Sequence, residues 1–452
     1  MTIAGINRYD ATTALKKIAS GAFTATDYLK ACLDRVAERE EDVGAFTHLA
    51  AQRALAQAAD TDARPPSGAL NGIPIAIKDI IDTHDMPTEH GSPIYKGSIP
   101  VSDAACVAML RQAGAIILRK TVTPEFAAVT PGRTANPHNF KHTPGGSSSG
   151  SAAAVADFMV PVAIGTQTVG STIRPASYCG VVGYMPSHQI LPVQGVKVQA
   201  GSLDNLGILT RSVADVALVA NAILGCDALQ AEPSAAAPRI GFCPSPHWPQ
   251  APESTRRVMA DAIALLRKAG ATVEDVSLPE SFDDALPAHW TILTFEFARA
   301  MAFEYEAHRD RLSPRLVELL NRGFATPYAD YRDACAIAVA RRGDFAPLIA
   351  NYDVLLTPAA ASEAPEGLHA PSDLLFQRFW TVLHVPAITL PGFTGPNNLP
   401  IGIQLIGTHL DDAKLLRAAA WVERAIDEHL QRCACGIVGQ TATPRAPRSC
   451  GR

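Results

Sequence analysis

The 452-residue sequence predicts an α/β protein: a mixed β-sheet sandwiched between layers of α-helices. Two observations carry this. From about residue 65, short apolar runs of strand length alternate with longer helix-period segments, and that alternation implies a sheet covered by helices on both faces. The composition, 47% hydrophobic and 18% charged, is that of an ordinary globular protein with a sizeable core. The length suits one large α/β domain or two smaller ones.

The first segment reads as helical. Asp10 can cap "ATTALKKIAS", which Gly21 stops, and Thr24 can cap "ATDYLKACLDRVAERE". A third helix is expected in "THLAAQRALAQAAD", before the loop "TDARPPSGALNG". Residues 1–64 are therefore expected to be a helical segment packing on a main domain of residues 65–430. In that domain "IPIAIKDI" is a buried strand, "SDAACVAMLRQAGAIILRK" a helix, a glycine and a strand, "SGSAAAVAD" a small-residue helix and "FMVPVAIG" a strand. The alternation continues through "SVADVALVANAILG", "RIGFCP", "TRRVMADAIALLRKAG" and "TVEDVSLP". Residues 280–350 are mainly helical and read as an inserted cap. "YDVLLTPA", "PAITLPGF" and "PIGIQLIG" follow as strands, and "DDAKLLRAAAWVERAIDEH" closes the domain as a helix. The turn-rich tail, 431–452, is expected to be poorly ordered.

A net charge of −5 argues against a nucleic-acid or anionic-membrane partner. "MTIAGINRYD" lacks a basic stretch followed by an apolar run, so no signal peptide is expected. The most apolar stretch, "SAAAVADFMVPVAIG", carries Asp157 and Pro161 and is too short to span a bilayer. The nine cysteines are mostly scattered singly, as in a reduced, cytoplasmic protein. Cys433 and Cys435 form C-x-C rather than a zinc-type C-x-x-C. His138 and His142 are four apart but sit among loop formers, and "DTHD" (82–85) reads as a solvated turn. No metal and no cofactor is expected.

"GTQTVGST" (165–172) holds Ser171 after a glycine, with no charged neighbour. A nucleophile needs a base, so either this is a polar loop or the base lies far away in sequence. Upstream, "TPGGSSSGSAAAVAD" opens a helix of about 15 Å, and the strand after it returns about as far. Ser147, in the turn, and Ser171, beyond the strand, can therefore end near each other. The turn lacks the lysine of a P-loop and the spacing of a dinucleotide fingerprint. In "NGIPIAIKDI", Pro74, Ala76 and Lys78 share one strand face and Ile73, Ile75 and Ile77 the other. Lys78 is either a solvated rim charge or a desolvated lysine able to accept a proton.

Together, G-I-P-x-x-x-K-D, P-G-G-S-S-x-G-S-A-A-A-V-A and G-T-x-T-x-G-S, with "SLDNLGILTRSVAD" (202–215) and "LPIGIQLIG" (399–407), resemble the amidase signature family of serine hydrolases. The resemblance implies that family's fold and a Lys–cis-Ser–Ser triad: Lys78 as base, Ser147 as bridging serine on a cis Gly146–Ser147 peptide, Ser171 as nucleophile. It also implies an oxyanion hole from the backbone N–H groups of Thr168, Val169, Gly170 and Ser171. Two departures stand out from the common G-T-D-T-G-G-S-I-R: Gln167 replaces Asp and Val169 replaces Gly. The arginine is shifted one place, to Arg174, as in the malonamidase-type branch. Arg174 then either reads a substrate carboxylate or pairs with a protein carboxylate. Phe376, Phe379 and Trp380 precede a strand where the family closes its substrate pocket. Core packing suits two of them, and Trp380 is the expected substrate contact. Cys179 lies in a segment the family uses for packing.

The resemblance implies a cytoplasmic, cofactor-free serine amidohydrolase cleaving small or aromatic amides through an acyl-enzyme. The same chemistry suits anilides, carbamates and esters. The expected partner is a small-molecule substrate, and the chain is expected to be a monomer or homodimer. An ammonia-producing subunit of a transamidation complex and a degenerate binding protein are the alternatives.

Overall fold

The computed structural model describes residues 5–370 and 374–434. Its strands are β1 (Phe46–Leu49), β2 (Pro74–Lys78), β3 (Ile116–Thr121), β4 (Val162–Gln167), β5 (Val182–Met185), β6 (Asn205–Thr210), β7 (Arg239–Phe242), β8 (Thr272–Asp275), β9 (Val354–Pro358), β10 (Ala387–Thr394) and β11 (Pro400–Ile406). They form one sheet in the order β1-β3-β2-β4-β6-β5-β10-β11-β9-β7-β8. β2 pairs in parallel with β3 and β4, and β7 with β8 and β9. The other pairings are antiparallel, so the sheet is mixed, as expected.

The helices are α1 (Ala11–Ala19), α2 (Ala25–Val43), α3 (Ala51–Asp62), α4 (Ala105–Gln112), α5 (Ser149–Ala156), α6 (Ile173–Cys179), α7 (Val213–Leu224), α8 (Glu253–Lys268), α9 (Ala285–Ala300), α10 (Ala302–Ala307), α11 (Pro314–Ala325), α12 (Tyr328–Ile349), α13 (Arg378–Val382) and α14 (Asp412–Ala434). Ile75 and Ile77 of β2 share a core with Val107 of α4, Val216 of α7, Leu266 of α8 and Val422 of α14. Ala76 shares the opposite core with Leu29 of α2, Ala58 of α3, Ala153 of α5 and Ala176 of α6. The alternation read from the sequence therefore divides β2 between two helical layers. Lys78 has the parity of Ala76 and ends the strand on the side of α5 and α6.

The expected caps form. Asp10 accepts from the Thr13 N–H at 2.9 Å. Thr24 and Asp27 make a reciprocal capping box.

Four features differ from the sequence expectation. "THLA" is not the start of α3: Phe46–Leu49 is an edge strand antiparallel to β3, so the first segment is not purely helical. Phe46 is buried and Thr47 exposed, a strand alternation too short to stand out beside the helix that follows. β5 and β6 were also unread, because Gly183 and Gly207 interrupt their apolar runs. Gly207 has a packing reason: a Cβ there would lie 1.9 Å from Thr172 Oγ1. The tail is helical through Ala434, and the rest of the expected poorly ordered segment lies outside the described residues, with Cys435.

The small-residue helix α5 lies close to its neighbours. A Cβ on Gly150 would sit 2.2 Å from the Ala45 carbonyl oxygen and 2.5 Å from the Val122 nitrogen, both backbone atoms. Gly150→Ala is therefore expected to destabilise the fold by about 1–3 kcal/mol. Urea unfolding should show a lower midpoint at unchanged slope.

Candidate active site

Lys78 is fully buried at the end of β2. Its Nζ donates to Ser147 Oγ at 2.6 Å and to Thr166 Oγ1 at 2.7 Å. Burial holds its pKa well below the ordinary lysine value; Asp204 acts to raise it and the Arg174 guanidinium to lower it. Lys78 is thus the desolvated lysine of the two sequence readings, not a rim charge. The Gly146–Ser147 peptide is cis.

Ser171 lies on the turn between β4 and α6. The Ser148 N–H donates to the Ser171 carbonyl at 3.1 Å, which joins the two serine segments. Gln167 organises this turn. Its Oε1 accepts from the Thr172 and Ile173 N–H groups at 3.0 and 3.1 Å, so it caps α6 as a carboxylate would, without the charge. Its Nε2 faces Met185 Sδ and Thr381 Oγ1.

Three carbonyls of the loop have protein donors. Thr168 O meets His289 Nε2 at 3.0 Å, Val169 O accepts from Thr381 Oγ1 at 3.3 Å, and Gly170 O accepts from the Arg174 N–H at 3.1 Å. Thr168 Oγ1 donates to Asp204 Oδ1 at 2.5 Å. Asp204 is buried, and burial pushes its carboxyl up to about 6. Among the described residues, no protein acceptor meets the N–H of Val169, Gly170 or Ser171. Val169 has an ordinary backbone, with no positive φ.

Ser147, Ser171, Val169 and Arg174 open onto a cleft of about 510 Å³. Trp290, Leu293 and Phe297 of α9, with Leu319 of α11, give it an apolar wall. Arg174 is buried and donates to the Gly146 carbonyl, so it braces the turn that carries Ser147. Arg315, Glu318 and Arg322 also line the cleft, and Glu318 and Arg322 pair with each other at 2.6 Å.

Trp380 is not in this wall. It is fully buried on α13, with Phe379 at 4.9 Å and Phe345 at 5.9 Å between ring centroids, in a core shared with α9 and α12. The cleft tryptophan is Trp290. Its signal was in the sequence: Trp290, Leu293 and Phe297 recur at helical spacing in "HWTILTFEF". Phe376 and Phe379 are core residues. Thr166, Asp204 and His289 carry no sequence signal of a role, since each is ordinary in isolation.

The remaining candidates are structural. Cys179 is buried, and desolvation pushes its thiol far up, away from thiolate chemistry. His138 and His142 each meet a backbone carbonyl, of Cys179 and Ala364. His84, Asp85 and Asp103 cluster, but Asp85 pairs with Arg53 and Arg111, and Asp103 with Arg111 and His84. No helix among the described residues is long and apolar enough to cross a membrane.

Comparison with known proteins defines the class. Residues 27–416 match the family model described as Amidase. The chain belongs to the amidase family, hydrolases that act on carbon–nitrogen bonds. It is 31% identical to the A-type subunit of the glutamyl-tRNA(Gln) amidotransferase of Bacillus anthracis over 473 aligned residues, covering 92% of this chain and 97% of the relative. It is 32% identical to the same component of the Chloroflexus aggregans enzyme, covering 92% and 96%. The solved structure of native peptide amidase from Stenotrophomonas maltophilia has a TM-score of 0.80 at 29% identity, covering 92% of this chain and 96% of that one.

Proposed function

We propose that the chain is a serine amidohydrolase working through an acyl-enzyme, with Ser171 as nucleophile, Ser147 as proton relay and Lys78 as base. The observation that carries this reading is the 2.6 Å contact between a fully buried Lys78 and Ser147, at the foot of the cleft that Ser171 shares.

Neutral Lys78 accepts the Ser147 proton, and Ser147 accepts the Ser171 proton as Ser171 Oγ bonds to the carbonyl carbon. The carbonyl π electrons move to oxygen, and the backbone N–H groups of the 168–171 loop stabilise that oxyanion. Collapse breaks the C–N bond, and the proton held by Lys78 returns through Ser147 to the leaving nitrogen. Water then repeats the attack and releases the acid.

The apolar cap wall favours aromatic or extended apolar amides, and anilides, carbamates and esters present the same attackable carbonyl. The names of the amidotransferase relatives support a second reading, an ammonia-producing subunit for transamidation. Glutamine is small and polar and leaves Trp290, Leu293 and Phe297 unused, so the hydrolase reading is preferred. A screen of p-nitroanilide, aryl carbamate and primary amide substrates against glutamine separates the two; turnover of glutamine alone would reverse the preference.

Arg174 faces the cleft and braces Gly146, so Arg174→Ala should lower turnover on every substrate. If Arg174 also reads a substrate carboxylate, kcat/KM should fall roughly tenfold further on a carboxylate-bearing amide than on a neutral one. Equal losses on both would leave it the bracing role alone.

A further inference from the structure

We propose that His289, on the cap, is a positioning residue for the reaction: it holds the Thr168 carbonyl and thereby aims the Val169 N–H at the oxyanion. The inference rests on the serine-hydrolase reading above. It concerns a residue with no part in the proton relay.

His289 is fully buried on α9, and its Nε2 lies 3.0 Å from the Thr168 carbonyl oxygen. A carbonyl only accepts, so Nε2 must carry the proton. Nδ1 is then the bare nitrogen, and it has no partner among the described residues. Burial supports this neutral form by lowering the histidine pKa to about 4. The imidazole therefore offers one donor in one direction.

The consequence follows from peptide geometry. In a trans peptide the C=O and the next N–H lie in one plane and point opposite ways. Holding Thr168 O toward α9 turns the Val169 N–H away from α9. The Val169 and Gly170 carbonyls are held in the same manner by Thr381 and by the Arg174 N–H. Each anchor fixes the N–H of the following residue, and the three anchors come from α9, α13 and α6.

The α9 anchor is distinct because the same helix lines the cleft. Trp290 follows His289 directly, and Leu293 and Phe297 lie one and two turns on. His289 thus locks the substrate wall and the Val169 amide of the loop into one register. No other side chain donates to the Thr168 carbonyl among the described residues, so loss of the imidazole removes this peptide plane's direct anchor while Thr168 Oγ1 and the Val169 carbonyl stay held.

The test compares His289→Leu, which removes the donor, with His289→Gln, whose amide nitrogen reaches about as far as Nε2. His289→Leu should lower kcat ten- to a hundredfold with KM within about threefold. A trifluoromethyl ketone substrate analogue, which forms the oxyanion, should lose affinity in parallel with kcat. His289→Gln should recover kcat to within about fivefold of the parent. Should His289→Leu not fold, His289→Asn replaces it: its shorter amide cannot reach, so it must fall well below Gln. Unchanged kcat in a folded Leu or Asn variant, a loss confined to KM, or equal losses in the donor and non-donor variants would each overturn the assignment. Fluorophosphonate labelling of Ser171 should persist in all of these variants. Absence of labelling in the parent protein would instead indict the serine-hydrolase reading.

Discussion

Lys78→Ala should lower kcat/KM by about 10³- to 10⁴-fold, the scale of a positioned general base, while leaving a folded protein. The substitution removes the proton acceptor that meets Ser147 and Thr166 and also the buried stem beyond Cβ, so Lys78→Met, which keeps the stem's volume, is the control that separates lost chemistry from lost packing. The pH dependence has a fixed sign. Only neutral Lys78 can accept a proton, and burial lowers its pKa well below the ordinary lysine value. Activity should therefore rise with pH through the lowered pKa and level above it. A limb placed at the ordinary value of about 10.4 would contradict the burial argument. The neighbours shift the limb predictably. Arg174 disfavours the lysine charge, so Arg174→Ala should move the limb to higher pH. Asp204 favours the charge, so Asp204→Asn should move it lower. Stability carries the same signature. Between the lowered pKa and about 10.4 the unfolded chain binds more protons at Lys78 than the folded one, so this group's contribution to stability rises with pH there. Lys78→Met should accordingly be more stable than the parent at neutral pH and lose that advantage as the pH approaches 10. Thermal melts at the two pH values measure this.

The sheet was legible because it rests on short-range patterns, whereas the pairing of Lys78 with Ser147, far apart in sequence, was implied by the family resemblance and by no local pattern. The apolar runs of β2, β3, β4 and β9 to β11 are long enough to show their period, and Gly-Ser turns mark where the chain reverses. β5 and β6 were not legible because glycine occupies points where α6 crosses close to the sheet; the tertiary contact that demands Gly207 also erases the strand signal. Trp380 misled for a related reason. A tryptophan in a segment that precedes a strand does not reveal which of two apolar regions it fills. The core shared with α9 and α12 claims it, while the cleft takes its tryptophan from a helix more than eighty residues earlier. His289 is the harder case. A single histidine in an apolar helix has no sequence feature that separates a buried donor from an exposed one; only the approach of α9 to the Thr168 carbonyl gives it a role. Gln167 stands between these cases. Its departure from aspartate was visible, but its capping of α6 through Oε1 required the fold.

Ser171→Ala should abolish turnover and fluorophosphonate labelling together, since it deletes the atom that forms the covalent bond in both. The expected loss is at least as large as that for Lys78→Ala, because removal of the nucleophile leaves only the binding and oxyanion contributions. Ser147→Ala should instead lower turnover while leaving Ser171 open to slow labelling, because the nucleophile remains and only its relay is cut. The competing mechanism is a serine–histidine pair, and the structure names the histidines to test. His84, His90, His142 and His188 do not line the cleft; His369 does, as an exposed side chain. Glutamine at any of these five should leave most of the activity. His289 is set apart, since its loss acts on the oxyanion loop and is recovered by glutamine. A well-folded His369→Gln variant that is inactive and rescued by added imidazole would replace the lysine mechanism with a histidine one. Retention of activity there, with complete loss at both Ser171 and Lys78, leaves the buried lysine as the base.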